Sequence, residues 1–371
     1  TIFVNLLKFI VVPVVLLSMI DGIISMGNMK KVGSVGWKTV VYFMITTAIA
    51  CVIGLELASI FNGAGLFPNL SEAAQSAEYE AKEYAGFMAT LVAIFPTNMW
   101  KAFTDANMLQ VIVMALILGF AIILVGEKNV RVVNAFNDLN EIFMKCMEMI
   151  LKLSPIGVFC LLCPVIAANG PAIIGSLAMV LLAAYICYVV HAVVVYSLTV
   201  RTLGGLSPLK FFKGMLPAIM FAFSSASSVG TLPINLECTE KLGAKREIAS
   251  FVLPLGATIN MDGTAIYQGI CAIFIASCYG IHLTLSQMLT IVLTATLASI
   301  GTAGVPGAGM VMLAMVLTSV GLPVDGIALV AGVDRIFDMG RTTVNITGDA
   351  ACTMVVSNLE AKKEARKAKI K

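Results

Sequence analysis

Polar residues recur at helical spacing near the end of the chain, inside a stretch that is otherwise apolar. They are Asp334, Asp338, Arg341, Asn345 and Asp349, separated by four, three, four and four residues. Because an α-helix turns every 3.6 residues, this spacing places the five side chains on one face. A charge at bilayer depth costs roughly 2.5–3.5 kcal/mol on insertion scales, so a membrane helix keeps such a face only where something compensates it.

The charges of this stretch predict ligands of opposite charge. With Arg335 there are three carboxylates against two arginines, so pairing leaves one acid for which a bound cation would supply the missing charge. Arg341 can bind a carboxylate through two parallel hydrogen bonds, and Asp338 can hold an ammonium group. Together they indicate an anionic amino acid as the ligand. A structural network of salt bridges is the alternative, which explains the pairing but not the leftover acid.

A second polar cluster interrupts the apolar residues 248–278. It reads Asn260-Met261-Asp262-Gly263-Thr264, and Asp262 is the only charged residue in the stretch. Gly263 allows the helix to unwind, which frees carbonyl oxygens beside a carboxylate. Such hard oxygen ligands suit a small cation, and unwound helices are where transporters hold sodium.

Composition requires lipid as the solvent for most of the surface. Of the 371 residues 59% are hydrophobic and only 12% charged, and the mean hydropathy is +0.96. About 20 helical residues cross the hydrocarbon layer, where the backbone must satisfy its own hydrogen bonds. We therefore expect an all-α polytopic membrane protein. Its predicted spans are residues 2–26, 40–61, 86–125 (broken), 142–168, 172–200, 248–278 and 326–356.

The charges of the loops predict the orientation of these helices. Loops after the first, third and fifth spans are basic, whereas the loop at 62–84 is acidic and the turn at 168–171 is uncharged. The basic loops and the Lys-rich end of the chain are therefore predicted to be cytoplasmic, in a multi-pass protein of the cell membrane. The first helix then runs from outside to inside. Because the chain starts with Thr1 rather than Met and enters an apolar helix almost at once, we expect one earlier helix before Thr1 in the natural chain.

Two segments after residue 208 are long enough to enter the bilayer and return. Segment 209–242 is broken by a serine-rich run at 224–231, and segment 283–320 by a glycine-rich run at 301–309. Only the first has basic residues at its ends, so we expect two re-entrant hairpins that open to opposite sides. Each precedes a full span, which makes an inverted repeat with the binding site between its halves. Two ordinary kinked helices are the alternative.

Other classes of function fit the sequence less well. An enzyme would need a nucleophile–base pair or a metal cluster, and the sequence pattern indicates neither. A nucleic-acid-binding protein would need a basic patch with interleaved aromatic residues, which the sequence also lacks. The cysteines lie almost entirely in apolar runs, where cysteine packs as a small hydrophobe, and we assign no role to His191 or His282. A channel could use a charged helix, but two interrupted hairpins favour alternating closure over a continuous path.

Four segments resemble the glutamate transporter family of dicarboxylate/amino acid:cation symporters, and the resemblance covers essentially the whole chain. They are 227–233 (SSVGTLP), 260–264 (NMDGT), 301–307 (GTAGVPG) and 338–349 (DMGRTTVNITGD). The resemblance implies an elevator-type fold, a homotrimer, and import of aspartate or glutamate with sodium and without an organic cofactor. It implies scaffold and trimerisation helices mainly in 1–200, a transport core at 201–358 and a basic tail at 359–371.

The same resemblance implies the residues of the site. Substrate contacts would be Ser227, Ser228, Thr264, Val305, Gly309, Asp338, Arg341, Thr342 and Asn345. One sodium site would use Gly256, Asn260, Asn345 and Asp349. A second would use the backbone oxygens of Thr258, Ser299, Ile300 and Thr302 beside the Met261 sulfur, and a third Thr46, Thr47, Asn260 and Asp262.

Several positions depart from the family pattern. Phe43 stands where archaeal members carry a tyrosine near the third sodium site, and Gln268 where animal members carry the glutamate linked to proton coupling. Ala226 and Met339 stand where archaeal and animal members, respectively, carry an arginine, and whether Arg335 supplies that charge is open.

Three residues indicate which branch of the family the chain resembles. Arg341 favours acidic over neutral amino acids, and Asp338 argues against C4-dicarboxylates, which have no amine to hold. Asp349 favours sodium, because proton-coupled bacterial relatives tend to carry asparagine there. A proton-coupled carrier of acidic amino acids or dicarboxylates is the alternative.

Overall fold

The computed structural model shows a helical protein. The described residues are 2–26, 34–67, 92, 95–105, 107–125, 130–153, 156, 159, 172–300 and 308–370. Within these ranges there is no strand, which confirms the all-α class. Three helical stretches there, Ser34–Gly63, Gly175–Thr202 and Arg246–Cys278, are long and apolar enough to cross a membrane.

The helices are numbered here in chain order. The first group is α1 (Ile2–Met26), α2 (Ser34–Gly63), α3 (Met99–Thr104), α4 (Met108–Val125) and α5 (Val130–Leu151). The second is α6 (Ala172–His191), a π-helical turn (Ala192–Tyr196), α7 (Ser197–Thr202), α8 (Pro208–Ser225) and α9 (Ser228–Lys241). The third is α10 (Arg246–Ile259), α11 (Asp262–Cys278), α12 (Leu285–Ala298), α13 (Ala308–Ser319), a 3-10 turn (Val324–Gly326), α14 (Ile327–Ala331) and α15 (Asp334–Ile370).

The helix boundaries differ most from the predicted spans at α5 and α15. Helix α5 begins at Val130 rather than near residue 142, because its first half is amphipathic rather than continuously apolar. One polar residue of that half, Asn140, donates from Nδ2 to Asp21 Oδ2 of α1 at 3.2 Å. Helix α15 does not end with its apolar residues but continues through the basic tail to Ile370.

Two of the predicted helix breaks are confirmed. Helix α8 ends at Ser225, and Ala226 directly after it has a left-handed backbone (φ 52°). Ser227 then accepts a hydrogen bond from Gly230 N at 3.0 Å, which caps the start of α9. Between α10 and α11 the chain leaves helical geometry at Asn260 and Met261. The glycine-rich run at 301–307 lies outside the described residues. That the two helix pairs enter and leave the membrane on one side stays a prediction.

The broken helix lies at the centre of the fold. Helix α11 is buried along almost its whole length, with α2, α6, α13 and α15 packed around it. Its contact with α2 is backbone to backbone, since a Cβ atom at Gly54 would lie 2.7 Å from the carbonyl oxygen of Ile266. The helix that carries Asp262 is therefore enclosed by protein.

A second link joins α2 to α15 beyond the apolar part of α15. Glu360 accepts hydrogen bonds from Ser34 Oγ and Lys38 Nζ, each at 2.7 Å. Partial burial raises the pKa of the Glu360 carboxyl, but the hydrogen bonds from Lys38 and Ser34 outweigh this and the pKa is lowered. The stability that this link contributes is thus present at neutral pH and lost as the pH falls through the lowered pKa.

We expect Gly54→Ala to destabilise the protein, because the new methyl group would push α2 away from the backbone of α11. Overpacking of this kind costs about 1–3 kcal/mol. The matched control is Gly63→Ala at the end of the same helix, where no described residue beyond its own turn of helix lies within 4 Å of the added carbon. Thermal unfolding of the purified variants in detergent measures both effects. Equal melting temperatures would contradict the close contact.

Candidate functional site

Arg341 lies at the centre of the polar face of α15. Its side chain is only 2% exposed, and its donors face two carboxylates of the same helix. Nη1 lies 3.1 Å from Asp334 Oδ1, and Nε lies 2.8 Å from Asp338 Oδ1. The ring of Tyr267 on α11 covers the guanidinium, with its centroid 4.7 Å from Cζ. The predicted ion pairs of this stretch are therefore formed within one helix.

Helix α13 approaches Arg341 closely. A Cβ atom added at Gly309 would collide with the guanidinium of Arg341, so this position accepts only glycine while Arg341 keeps its place. The structure thus brings these two predicted substrate contacts together. Val305, the other predicted contact on this hairpin, lies outside the described residues.

Asn345 joins α15 to the break before α11. Its Oδ1 accepts from Gly263 N at 2.8 Å, and its Nδ2 lies 3.2 Å from the sulfur of Met261 and 3.4 Å from Thr264 Oγ1. The Asn345 side chain therefore accepts, at the break, a backbone hydrogen bond that a continuous helix would make within itself. Thr264, another predicted substrate contact, is buried in this arrangement.

A buried carboxylate and an unpaired carbonyl lie on the other side of this break. Asn260 Nδ2 donates to Asp349 Oδ1 at 2.8 Å and to the carbonyl oxygen of Asn345 at 3.1 Å. Asn260 Oδ1 is buried and has no hydrogen-bond partner among the described residues. A Cβ atom at Gly256 would collide with the Asp349 carboxylate, so α10 also passes closely. An unpaired buried oxygen beside a buried carboxylate fits a bound cation, because each is costly alone.

Asp262 has donors on both of its oxygens. Oδ1 accepts from Thr47 Oγ1 at 2.7 Å and from Thr46 Oγ1 at 3.3 Å, as the predicted third sodium site would bring them together. Oδ2 accepts from the hydroxyl of Tyr196 at 2.8 Å, and His191 Nε2 lies 3.1 Å away. An ionised Asp262 would make Nε2 the donor in that contact, because a carboxylate only accepts hydrogen bonds. All five side chains are buried.

His191 and Tyr196 are the site residues that the sequence reasoning missed. They lie five residues apart, and the π-helical turn between them places both on one face, with their ring centroids 4.8 Å apart. Gly348 on α15 makes room for the Tyr196 hydroxyl, which also lies 3.1 Å from the carbonyl oxygen of Val344. The signal in the sequence was a histidine inside an apolar span, which needs a partner.

The remaining predicted residues are less well joined. Ser228 and Thr342 are buried, and α9 contacts α15 through a 3.1 Å hydrogen bond from Asn235 Nδ2 to the carbonyl oxygen of Ile346. The second predicted sodium site would use the backbone oxygens of Thr258, Ser299, Ile300 and Thr302. Thr302 lies outside the described residues, so this site stays a prediction.

Comparison with known proteins identifies the chain. A model of the sodium:dicarboxylate symporter family matches residues 1–359. The chain belongs to this family. Its members are symporters, which confirms the family suggested by the motifs and makes this chain a multi-pass transport protein.

Relatives of this chain carry several names. The proton/sodium-glutamate symport protein of Bacillus subtilis (strain 168) is 36% identical, with 96% of this chain and 84% of the relative covered. The proton/glutamate-aspartate symporter of Escherichia coli (strain K12) is also 36% identical, with 99% and 86% covered. The C4-dicarboxylate transport protein of Paracoccus denitrificans (strain Pd 1222) is 36% identical as well, with 96% and 80% covered.

We expect Tyr196→Phe to destabilise the protein through Asp262. The change removes a donor from a buried carboxylate, and hydrogen bonds to charged groups contribute about 1.5–3 kcal/mol. The matched control is Tyr188→Phe, since the Tyr188 hydroxyl is buried without a hydrogen-bond partner among the described residues. Thermal unfolding should show a clear loss for the first variant and none for the second. Indistinguishable melting temperatures would contradict the role of Tyr196.

Proposed function

We propose that this protein imports acidic amino acids, aspartate or glutamate, together with sodium ions. One observation carries the proposal: the buried charges do not balance. Among the described residues, four carboxylates and one guanidinium are buried, those of Asp262, Asp334, Asp338, Asp349 and Arg341. When all five groups are ionised, four negative charges and one positive charge leave three negative charges in excess. An acidic amino acid adds one more, so cations must enter with it.

The contacts of Arg341 support an acidic substrate with an amino group. In the structure Arg341 is held by Asp334 and Asp338. A substrate side-chain carboxylate can replace Asp338 as the partner of Nε, and Asp338 is then available for the substrate ammonium. This exchange keeps Arg341, Asp338 and the substrate's ammonium and side-chain carboxylate paired, and breaking a buried ion pair without replacing the partner is costly. A C4-dicarboxylate offers no ammonium, so it would leave Asp338 facing another carboxylate.

Two groups of oxygen atoms support sodium as the coupling ion. Asp349 with the unpaired Asn260 Oδ1 and the carbonyl of Asn345 forms one group. Asp262 with the hydroxyls of Thr46 and Thr47 forms the other. Hydroxyls that now donate to Asp262 can rotate and present lone pairs to an ion. Both groups consist of the hard oxygen ligands that alkali and alkaline-earth cations prefer.

Proton coupling is the second candidate, and the contact between His191 and Asp262 favours it. An imidazole can carry a proton at neutral pH and would compensate the carboxylate as a cation does. Two of the relatives named above have "proton" in their names. We put sodium first because the unpaired amide oxygen of Asn260 beside Asp349 can coordinate a cation but is too weak a base to hold a proton.

We extend the proposal to the whole molecule on the strength of family membership and loop charge. It is a homotrimer in the cell membrane with a cytoplasmic C-terminus. Residues 201–358 form the moving core and 1–200 contribute mainly scaffold. The close packing of α2 on α11 indicates that α2 stays with the core rather than with the scaffold.

We expect a sodium gradient to drive uptake of labelled aspartate into proteoliposomes. Asp349→Asn should raise both the sodium concentration for half-maximal uptake and the KM for aspartate, because Asn260 and Asn345 link the sodium site at Asp349 to the substrate site at Arg341. Both should rise about tenfold or more, since a charge-assisted interaction of about 1.5–3 kcal/mol is lost. Uptake that persists without sodium and follows an imposed pH gradient would show proton coupling instead.

We expect Arg341→Gln to abolish transport of acidic amino acids. Removing one partner of a buried ion pair costs about 3–5 kcal/mol, which corresponds to at least a hundredfold fall in kcat/KM. Uptake of aspartate and of serine should be measured on the same preparation. The matched control is Arg366→Gln, which removes an exposed arginine from the tail of the same helix. Unchanged aspartate kinetics in Arg341→Gln would overturn the substrate assignment.

A further inference from the structure

Arg335 of α15 contacts the turn between α8 and α9. Arg335 Nη2 lies 3.4 Å from the carbonyl oxygen of Ser224 and 3.3 Å from that of Ser225. These carbonyls belong to the last turn of α8, where helix carbonyls have no partner in their own helix. The helix dipole also makes this end partially negative, so a guanidinium there is favourable.

Arg335 is available for this contact because its neighbours on α15 serve another arginine. Asp334 and Asp338 both direct an oxygen to Arg341, and Arg341 is buried while Arg335 is exposed. In the described part of the chain, the hydrogen bonds of Arg335 go to the two α8 carbonyls and to no carboxylate. The two arginines of α15 thus have separate tasks.

The turn that Arg335 holds needs support. Ala226 is the only residue other than glycine with a positive φ in the described ranges, and its side chain is 1% exposed. A left-handed conformation is unfavourable for a residue with a Cβ atom. Directly after it, Ser227 N donates to Ser225 Oγ at 3.3 Å and Ser227 Oγ caps α9. The position of Ser227 and Ser228 therefore depends on how α8 ends.

We propose that Arg335 is a positioning residue that caps α8 from α15 and so fixes Ser227 and Ser228 relative to Asp338 and Arg341. Arg335 lies on the same helix as Asp338 and Arg341, so its contact with α8 fixes the position of the turn relative to these two charged side chains. Loss of the cap lets the turn move away from them. The contribution to substrate affinity rests on the proposed function, whereas the capping itself does not.

The test compares Arg335→Gln and Arg335→Lys with wild type and with Arg366→Gln. Hydrogen exchange of the peptide that covers residues 221–231 reports the stability of the turn directly. We expect exchange to be about two- to fivefold faster in Arg335→Gln, which is the size of effect for a cation at a helix C-terminus. Arg335→Lys keeps the charge and should exchange close to the wild-type rate, as should Arg366→Gln.

Uptake kinetics of aspartate give the second measurement. In Arg335→Gln the KM should rise by a similar two- to fivefold factor while kcat stays within about twofold, and Arg335→Lys should restore the KM. Wild-type exchange in Arg335→Gln, an equal change in Arg366→Gln, or a fall in kcat at constant KM would overturn the proposal. If wild type takes up no aspartate, the proposed function fails, and the exchange rates still decide whether Arg335 holds the turn.

Discussion

The structure depends on negative charge that is buried without enough positive charge to balance it. In the described part of the chain, carboxylates at four positions of α11 and α15 are buried together with a single guanidinium. Such an excess is tolerable only where donors, bound cations or protons surround each carboxylate. The threonines of α2, the histidine and tyrosine around the π-helical turn and the amide of Asn260 are these donors. The helices pack so that these donors reach the buried carboxylates.

Close approach of the helix backbones allows these donors to reach the carboxylates. Glycines on four different helices lie where a Cβ atom would meet a neighbouring helix or a charged side chain; they are Gly54, Gly256, Gly309 and Gly348. Without a side chain at these points, α2, α10 and α13 come near enough to α11 and α15 for short polar side chains to reach. The polar interior is therefore closely packed at these four positions.

The sequence predicted the charged face of α15 and the break at Asn260, because both are local patterns against an apolar background. It also predicted that Thr46 and Thr47 meet Asp262, although only through resemblance to a family. His191 could not be placed, since its partner lies 71 residues away and no periodicity within one helix reveals such a contact. Helix α5 was misjudged for a different reason: its first half is amphipathic, and a search for apolar runs overlooks such a helix.

The π-helical turn at Ala192–Tyr196 has a consequence for comparing this chain with its relatives. A π turn arises when one residue is inserted into an α-helix, so the residue five positions on takes the place that regular geometry gives to the fourth. A relative without that extra residue would carry the counterparts of His191 and Tyr196 four positions apart and still present both to the same carboxylate. In an alignment with such a relative, the gap would belong within residues 192–195, and without it the tyrosine would be matched to the wrong column.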